Sequence, residues 1–196
     1  MSALLRPRMR AFLLLILLSA GCRAASPPIA YYTLGSAEGA ADALETSSTK
    51  TTIGIGPVSL PQYLDRPQLV TRTGPHRLRF DDFHLWAGSL SEEIARVVAE
   101  NLMLMTRSPR VARLPWGHRF RPDIVIGIEV LNFEAHADGR VHLMAAVALS
   151  DRRSDAETTW TVDLKEEAGG RSIADLVAAQ SRLIAELSRR IAAAIP

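Results

Sequence analysis

Leu60–Arg72, LPQYLDRPQLVTR, sets a phenol at Tyr63, a carboxylate at Asp65 and guanidinium groups at Arg66 and Arg72 within a few residues of one another. Gathered by a loop, such groups could transfer protons or hold an oxyanion. Pro61 and Pro67 flank Tyr63, Asp65 and Arg66, with Arg72 just beyond. Each proline fixes its own φ and restricts the residue before it, so the same spacing also describes a stiff link between two strands. In that case Tyr63 and Leu64 cover a sheet edge. Asp65 and Arg66 then organise the turn or meet a neighbouring subunit, with Tyr63 and Arg72 beside them at the interface. The architectural reading carries more weight, because nothing elsewhere in the chain completes a reaction centre.

The five histidines, His76, His84, His118, His136 and His142, lack the i, i+4 spacing that builds a metal site. His136 and His142 could approach across a hairpin, but two ligands leave coordination incomplete. No Gly-x-Ser-x-Gly elbow marks a nucleophilic serine. Gly-Ile-Gly-Pro at 54–57 lacks the further glycine and the lysine of a phosphate loop. The acid pairs Asp81-Asp82 and Glu92-Glu93 could do paired-carboxylate chemistry, yet they stand before and within the first turn of an expected helix, where the helix dipole favours negative charge. Met103 and Met105 could line a lipid groove, but at helical spacing they belong to a core. The expectation is a chain without catalytic residues, metal or cofactor.

The elements that must position these residues follow from periodicity. Tyr31–Leu34 is expected as a first strand, and the small, polar, aperiodic GSAEGAADALETSSTKT after it as a loop. Ile53 and Ile55 alternate in a second strand until Pro57, which points to an edge or a bulge. Strand character on both sides of Thr-Gly-Pro-His predicts a hairpin or two short strands over Gln68–Phe80. From about Trp86, the stripe Leu90, Ile94, Val97, Val98, Asn101 and Met105 predicts an amphipathic helix, with a capping box at Ser89 and Glu92 and an end before Pro109. Two long strands, DIVIGIEVLNFEAH and VHLMAAVALSD, meet at Asp138-Gly139, a pair suited to a type I′ turn. A third, TTWTVDL, follows. Ser172 and Asp175 then open a second amphipathic helix carrying Leu176, Leu183, Leu187 and Ile191 on one stripe. The expected fold class is α+β: a two-layer sandwich, its mixed sheet ending in an antiparallel meander, with both long helices on one face.

Arg6, Arg8 and Arg10 precede an apolar run that ends in Ser-Ala-Gly before Cys22, the single cysteine of 196 residues. A basic start, an apolar stretch shorter than the ~20 residues of a membrane span and small residues before a cut make an export signal. A lone cysteine in an exported chain has no disulfide partner within it. Leu-Ser-Ala-Gly-Cys resembles a bacterial lipobox, with Ser19 where such boxes usually carry leucine. The resemblance implies that Cys22 is acylated and becomes the new N-terminus. Arg23 is not the aspartate that retains many such proteins at the inner membrane, so the resemblance implies the outer one, held by several acyl chains where one alone binds reversibly. The expected organisation is a signal at 1–21, a lipidated tether at 22–29 and a single periplasmic domain at 30–196. Removing residues 1–21 takes away three arginines and no acids, which moves the formal charge from +2 to −1. Nucleic-acid binding thereby loses its compositional ground.

The order YYTL, IGIGPVSLPQYLDRPQLVTR, DDFHLWAGSLSEEIARVVAENL, long hairpin and C-terminal helix resembles the ABC-type transport auxiliary lipoproteins, the Pqi-like lipoprotein subunits found with MCE-domain transporters. The resemblance is most specific at Pro57-Val58, Leu60-Pro61, Tyr63-Leu64-Asp65-Arg66-Pro67, Val70 and Trp86-Ala87 with Leu90. It implies a non-catalytic subunit anchored to the outer membrane through Cys22 in a system that moves lipids or other hydrophobic compounds between membranes. Implied partners are an MCE-domain protein, an inner-membrane permease and further copies of the chain, since closed symmetry is common in such assemblies. Two other classes stay open: a stand-alone periplasmic lipoprotein that holds a hydrophobic ligand in its own pocket, and a hydrolase whose site only the fold assembles.

Overall fold

Alternating burial builds the sheet around one long strand. In Ile124–His136, Ile124, Ile126, Ile128 and Val130 are buried, while Val125, Gly127 and Glu129 are not. This is strand β6 of a computed structural model that describes residues 27–36 and 51–196. The export signal, Cys22 and most of the tether lie outside the described residues, as does most of the loop expected after Leu34. The other elements are β1 (Ala30–Tyr32), β2 (Ile53–Ser59), β3 (Gln68–Gly74), β4 (Arg77–Trp86), α1 (Leu90–Thr106), β5 (Val111–Arg113), β7 (Arg140–Asp151), β8 (Ala156–Glu167) and α2 (Ile173–Ala194). The fold class is α+β, with eight strands in one mixed sheet and two helices among the described residues.

Two strands share one edge of β6. β2 runs parallel to its first half, from Ile53 beside Ile124 to Ser59 beside Glu129. β3 runs parallel to its last residues, with Thr71 beside Ala135 and Arg72 beside His136. Between those anchor points β6 advances from 129 to 135 while the other chain advances from 59 to 71. The surplus forms the linker Leu60–Pro67, which folds outward into turns. The register shift expected from Pro57 is present between Ile55 and Val58. β7 and then β8 pair antiparallel on the opposite edge of β6. β4 returns antiparallel along β3, β1 lies parallel to β4, and β5 lies parallel to β2.

The core fills the side of the sheet that the helices cover, with Ile53, Ile55, Phe133, Val141, Leu143 and Val147 facing Ile94, Val97, Leu102, Leu183, Ile184 and Leu187. Asn101 of α1 donates from Nδ2 to Ser188 Oγ of α2 at 3.1 Å, a polar contact inside the helix pair.

Three local expectations are corrected. Ser89 is the N-cap of α1 but makes no capping bond; its hydroxyl meets Ser91 Oγ at 2.8 Å, so the box with Glu92 is not formed. The Ser172–Asp175 box at α2 is complete. At the β6–β7 hairpin only Gly139 has positive φ, at 99°, and Gly139 N–H donates to His136 O at 3.0 Å. The loop therefore has three residues, a turn followed by a left-handed glycine, where the sequence predicted a two-residue type I′ turn. Strand β4 also continues to Trp86, where helical periodicity was expected to begin.

Trp116 and Pro122 lie over Gly54 of β2, pinning the segment that follows β5 to the sheet. A Cβ at residue 54 would stand 2.6 Å from Trp116 Cζ2 and 3.0 Å from Pro122 Cβ. Gly54→Val should therefore destabilise the domain by about 1–3 kcal/mol through overpacking, measured by chemical denaturation.

Candidate functional site

One extra residue in β6 decides which face Glu134 takes. Val130 pairs with Ala145, but Asn132 pairs with Met144, so Leu131 is a bulge that shifts the register by one. A one-residue shift exchanges the faces of every following side chain. Phe133 and Ala135 consequently line the interior with Leu176 and Gln180 of α2. Glu134 turns to the face away from the helices, as does Arg72, which stands in register with His136.

On that outer face Glu134 is fully buried, its residue exposure 0%. Arg72 grips it with two groups: Nε contacts Oε2, and Nη2 donates to Oε1 at 2.7 Å. The Tyr63 hydroxyl donates to Oε1 at 2.7 Å. The third guanidinium nitrogen, Nη1, donates to Pro75 O at 3.0 Å, tying the clamp to the β3–β4 turn. Next to Tyr63, Leu64 is buried in the interior on the helix side. The linker thus straddles the open stretch of the β6 edge, Tyr63 gripping one face and Leu64 the other. Leu64 N–H and Asp65 N–H both donate to Pro61 O, at 2.9 and 3.3 Å, and Trp86 N–H donates to Pro67 O at 2.7 Å.

Burial alone would raise the Glu134 pKa, but the Arg72 and Tyr63 hydrogen bonds outweigh it and hold the carboxyl below its ordinary value. Burial, then the bond to Glu134, raises the Tyr63 phenol above its ordinary value, and the Glu134 hydrogen bond raises Arg72. All three pKa values move away from neutral pH, Glu134 and Arg72 staying charged and Tyr63 neutral, so the cluster is a clamp and not a proton-transfer pair.

The four residues expected at an interface are therefore divided. Tyr63 and Arg72 point at Glu134. Asp65 is exposed, and the Arg66 guanidinium lies 4.1 Å from the Phe80 ring centroid, a cation–π contact. Asp65 and Arg66 do not pair through their side chains. Glu134 was not recognised in the sequence, where it looks like one more outward residue of an alternating strand; the break in alternation at Leu131-Asn132 was the available sign. Arg96 was missed as well. It bonds Glu93, Glu100 and Leu34 O, the last at 2.7 Å, and so ties the chain after β1 to α1. Two of the histidines bond carboxylates: His84 meets Asp81 and His142 meets Asp163 on the neighbouring strand, each at 2.8 Å. Among the described residues no cluster of three or more His, Cys, Asp or Glu could hold a metal ion.

Comparison with known proteins places this geometry. The model of the family described as ABC-type transport auxiliary lipoprotein component matches residues 32–192. A crystal structure of a protein described as uncharacterized has a similar fold, with a TM-score of 0.72 at 19% identity, covering 87% of this chain and 100% of its own. A Xanthomonas campestris protein of the DUF330 family gives 0.68 at 15% identity, covering 83% of this chain and 92% of its own. At such identities the likeness concerns the fold. No curated protein matches the chain.

The clamp makes its own predictions. Glu134→Ala leaves Arg72 and Tyr63 without their acceptor and should cost about 3–5 kcal/mol, while Tyr63→Phe should cost about 2 kcal/mol. The lowered Glu134 pKa stabilises the fold above the unfolded carboxyl value of about 4.3, and that contribution disappears as pH falls through the folded value. Denaturation from pH 7 to pH 2 should show the wild-type and Glu134→Ala stabilities converging in acid.

Proposed function

The chain belongs to the ABC-type transport auxiliary lipoprotein component family, and on that premise we propose that it is a non-catalytic subunit of an MCE-associated, Pqi-like system moving lipids or other hydrophobic compounds between the inner and outer membranes. Acylated Cys22 holds it on the periplasmic face of the outer membrane. Its partners are an MCE-domain protein, an inner-membrane permease and further copies of itself, while a separate cytoplasmic ATPase or a membrane gradient supplies the energy.

The family match over 32–192 carries this reading. The core at Leu64, Trp86, Phe133 and Leu176 leaves only about 10 Å³, against the ~300–1,000 Å³ typical of a small-molecule site. A groove of about 740 Å³ between β8 and α2 has that size, but it is open at the surface and carries Lys165, Glu166, Arg182, Glu186 and Arg189 beside Leu164 and Leu183. Among the described residues no helix is long and apolar enough to cross a membrane. In the proposed assembly Tyr63 and Arg72 fix the linker from behind, and Asp65 and Arg66 present its outer side to a partner.

Affinity purification of the tagged full chain from gently solubilised, crosslinked envelopes should bring down an MCE-domain protein; its absence overturns the reading. Arg66→Ala should lower that yield while shifting stability by about 1 kcal/mol, the worth of a half-buried cation–π contact. Cys22→Ser should move the protein from the outer-membrane fraction of a density gradient to the soluble periplasmic fraction.

A further inference from the structure

Between Glu100 and Asp123 the chain carries Arg107, Arg110, Arg113, Arg119 and Arg121, together with His118, and no acid. This stretch has a formal charge of +5 in a mature chain of −1, so the remainder stands at −6. The fold gathers it at the end of the molecule where α1 finishes and β2, β5 and β6 begin. All five arginines are exposed. Arg110, Arg113, Arg119 and Arg121 enter none of the ion pairs formed among the described residues. The flanking acids are engaged elsewhere: Asp123 accepts from Thr52 N–H at 2.7 Å, and Asp151 pairs with Arg153. Among the cations stand the exposed side chains of Leu104 and Leu114, at 45% and 44%.

The backbone that displays these groups is fixed. Leu114 N–H donates to Ile55 O at 3.1 Å, Phe120 N–H donates to Gly117 O at 2.9 Å, and Trp116 rests on Gly54. Positive charge on a three-residue edge strand such as β5 also blocks edge pairing. That role needs one or two charges and leaves the exposed leucines unexplained.

We propose that this end is a docking surface for an acidic polypeptide segment of a partner, whose carboxylates meet the arginines and whose apolar side chains cover Leu104 and Leu114. Charge complementarity selects an acidic occupant. Position favours a polypeptide over the anchoring membrane. The chain enters β1 parallel to β4, coming from the side where the β3–β4 and β6–β7 turns lie, with Ala30 beside His84 and so about level with Phe133 of β6. Ile124, at the opposite end of β6, is nine residues farther, about 30 Å along the sheet at ~3.3 Å per residue. An eight-residue tether at 22–29 reaches at most ~28 Å, so an upright domain holds its basic end clear of the surface that holds Cys22. This preference for a polypeptide rests on the anchoring proposed above, whereas the charge and exposure do not.

The test is a photo-reactive residue at Leu114 in the full-length, acylated protein, irradiated in intact cells, with adducts identified by peptide mass. The expected result is a crosslinked peptide rich in Asp and Glu, with a yield that falls about tenfold in Arg110→Glu/Arg113→Glu and less in Arg110→Ala/Arg113→Ala. Thermal unfolding of each purified variant establishes that it is folded. Adducts to phospholipid or nucleic acid alone, a peptide without acidic character, no adduct, or a yield indifferent to charge reversal in folded protein would each overturn the proposal. Cys22→Ser release reports separately on the anchor, so failure of the docking surface and failure of the anchoring are distinguishable.

Discussion

A fully buried carboxylate holds the irregular linker between β2 and β3 in place. Glu134 lies on the face of the sheet that the helices leave uncovered, and an ion there is tolerable only with its lone pairs occupied and its charge balanced. Arg72 and Tyr63 meet both conditions. Tyr63 comes from within the linker and Arg72 from β3 beyond it, so one carboxylate sets both how β3 lies along β6 and how the intervening residues fold. Without the Leu131 bulge the same glutamate would point among the core side chains.

This arrangement explains why the charged residues of the linker do not form a reaction centre although their types suggest one. Proton transfer at neutral pH asks for groups whose affinities are brought toward one another and toward the working pH. The clamp instead deepens the ionised state of Glu134 and Arg72 and the neutral state of Tyr63. Rigidity is its product. It leaves Asp65 and Arg66 on a backbone whose turns are internally bonded, a setting suited to recognition.

Much of the architecture was legible because it is written at short range. Alternation marked β6, β7 and β8, the stripe of Leu176, Leu183, Leu187 and Ile191 marked α2, and Pro57 marked the irregularity in β2. Where reading failed, a neighbour won. Ser91 took the hydroxyl of Ser89 and emptied a box whose spacing was correct. At the β6–β7 hairpin a third loop residue let Asp138 keep negative φ, so Gly139 alone took the left-handed conformation. β5, at three residues, is too short to show a period. Tyr63 and Arg72 stand 71 and 62 residues from Glu134, a distance at which no local pattern can pair them. The arginines after α1 were visible individually, but only the fold shows that the acids flanking them are engaged elsewhere.

The sharing of one β6 edge by β2 and β3 also sets an order of events for a nascent chain. Synthesis runs from the N-terminus, so β2, the linker and β3 exist before any of β6 has been made. Pairings across such separations form late, because loop closure must be met before the contact rewards it. During that interval a bare strand is a template for the wrong partner. Pro57, Pro61 and Pro67 each withhold an N–H from such a partner. The residues that stiffen the finished linker therefore also guard it while it waits for its strand.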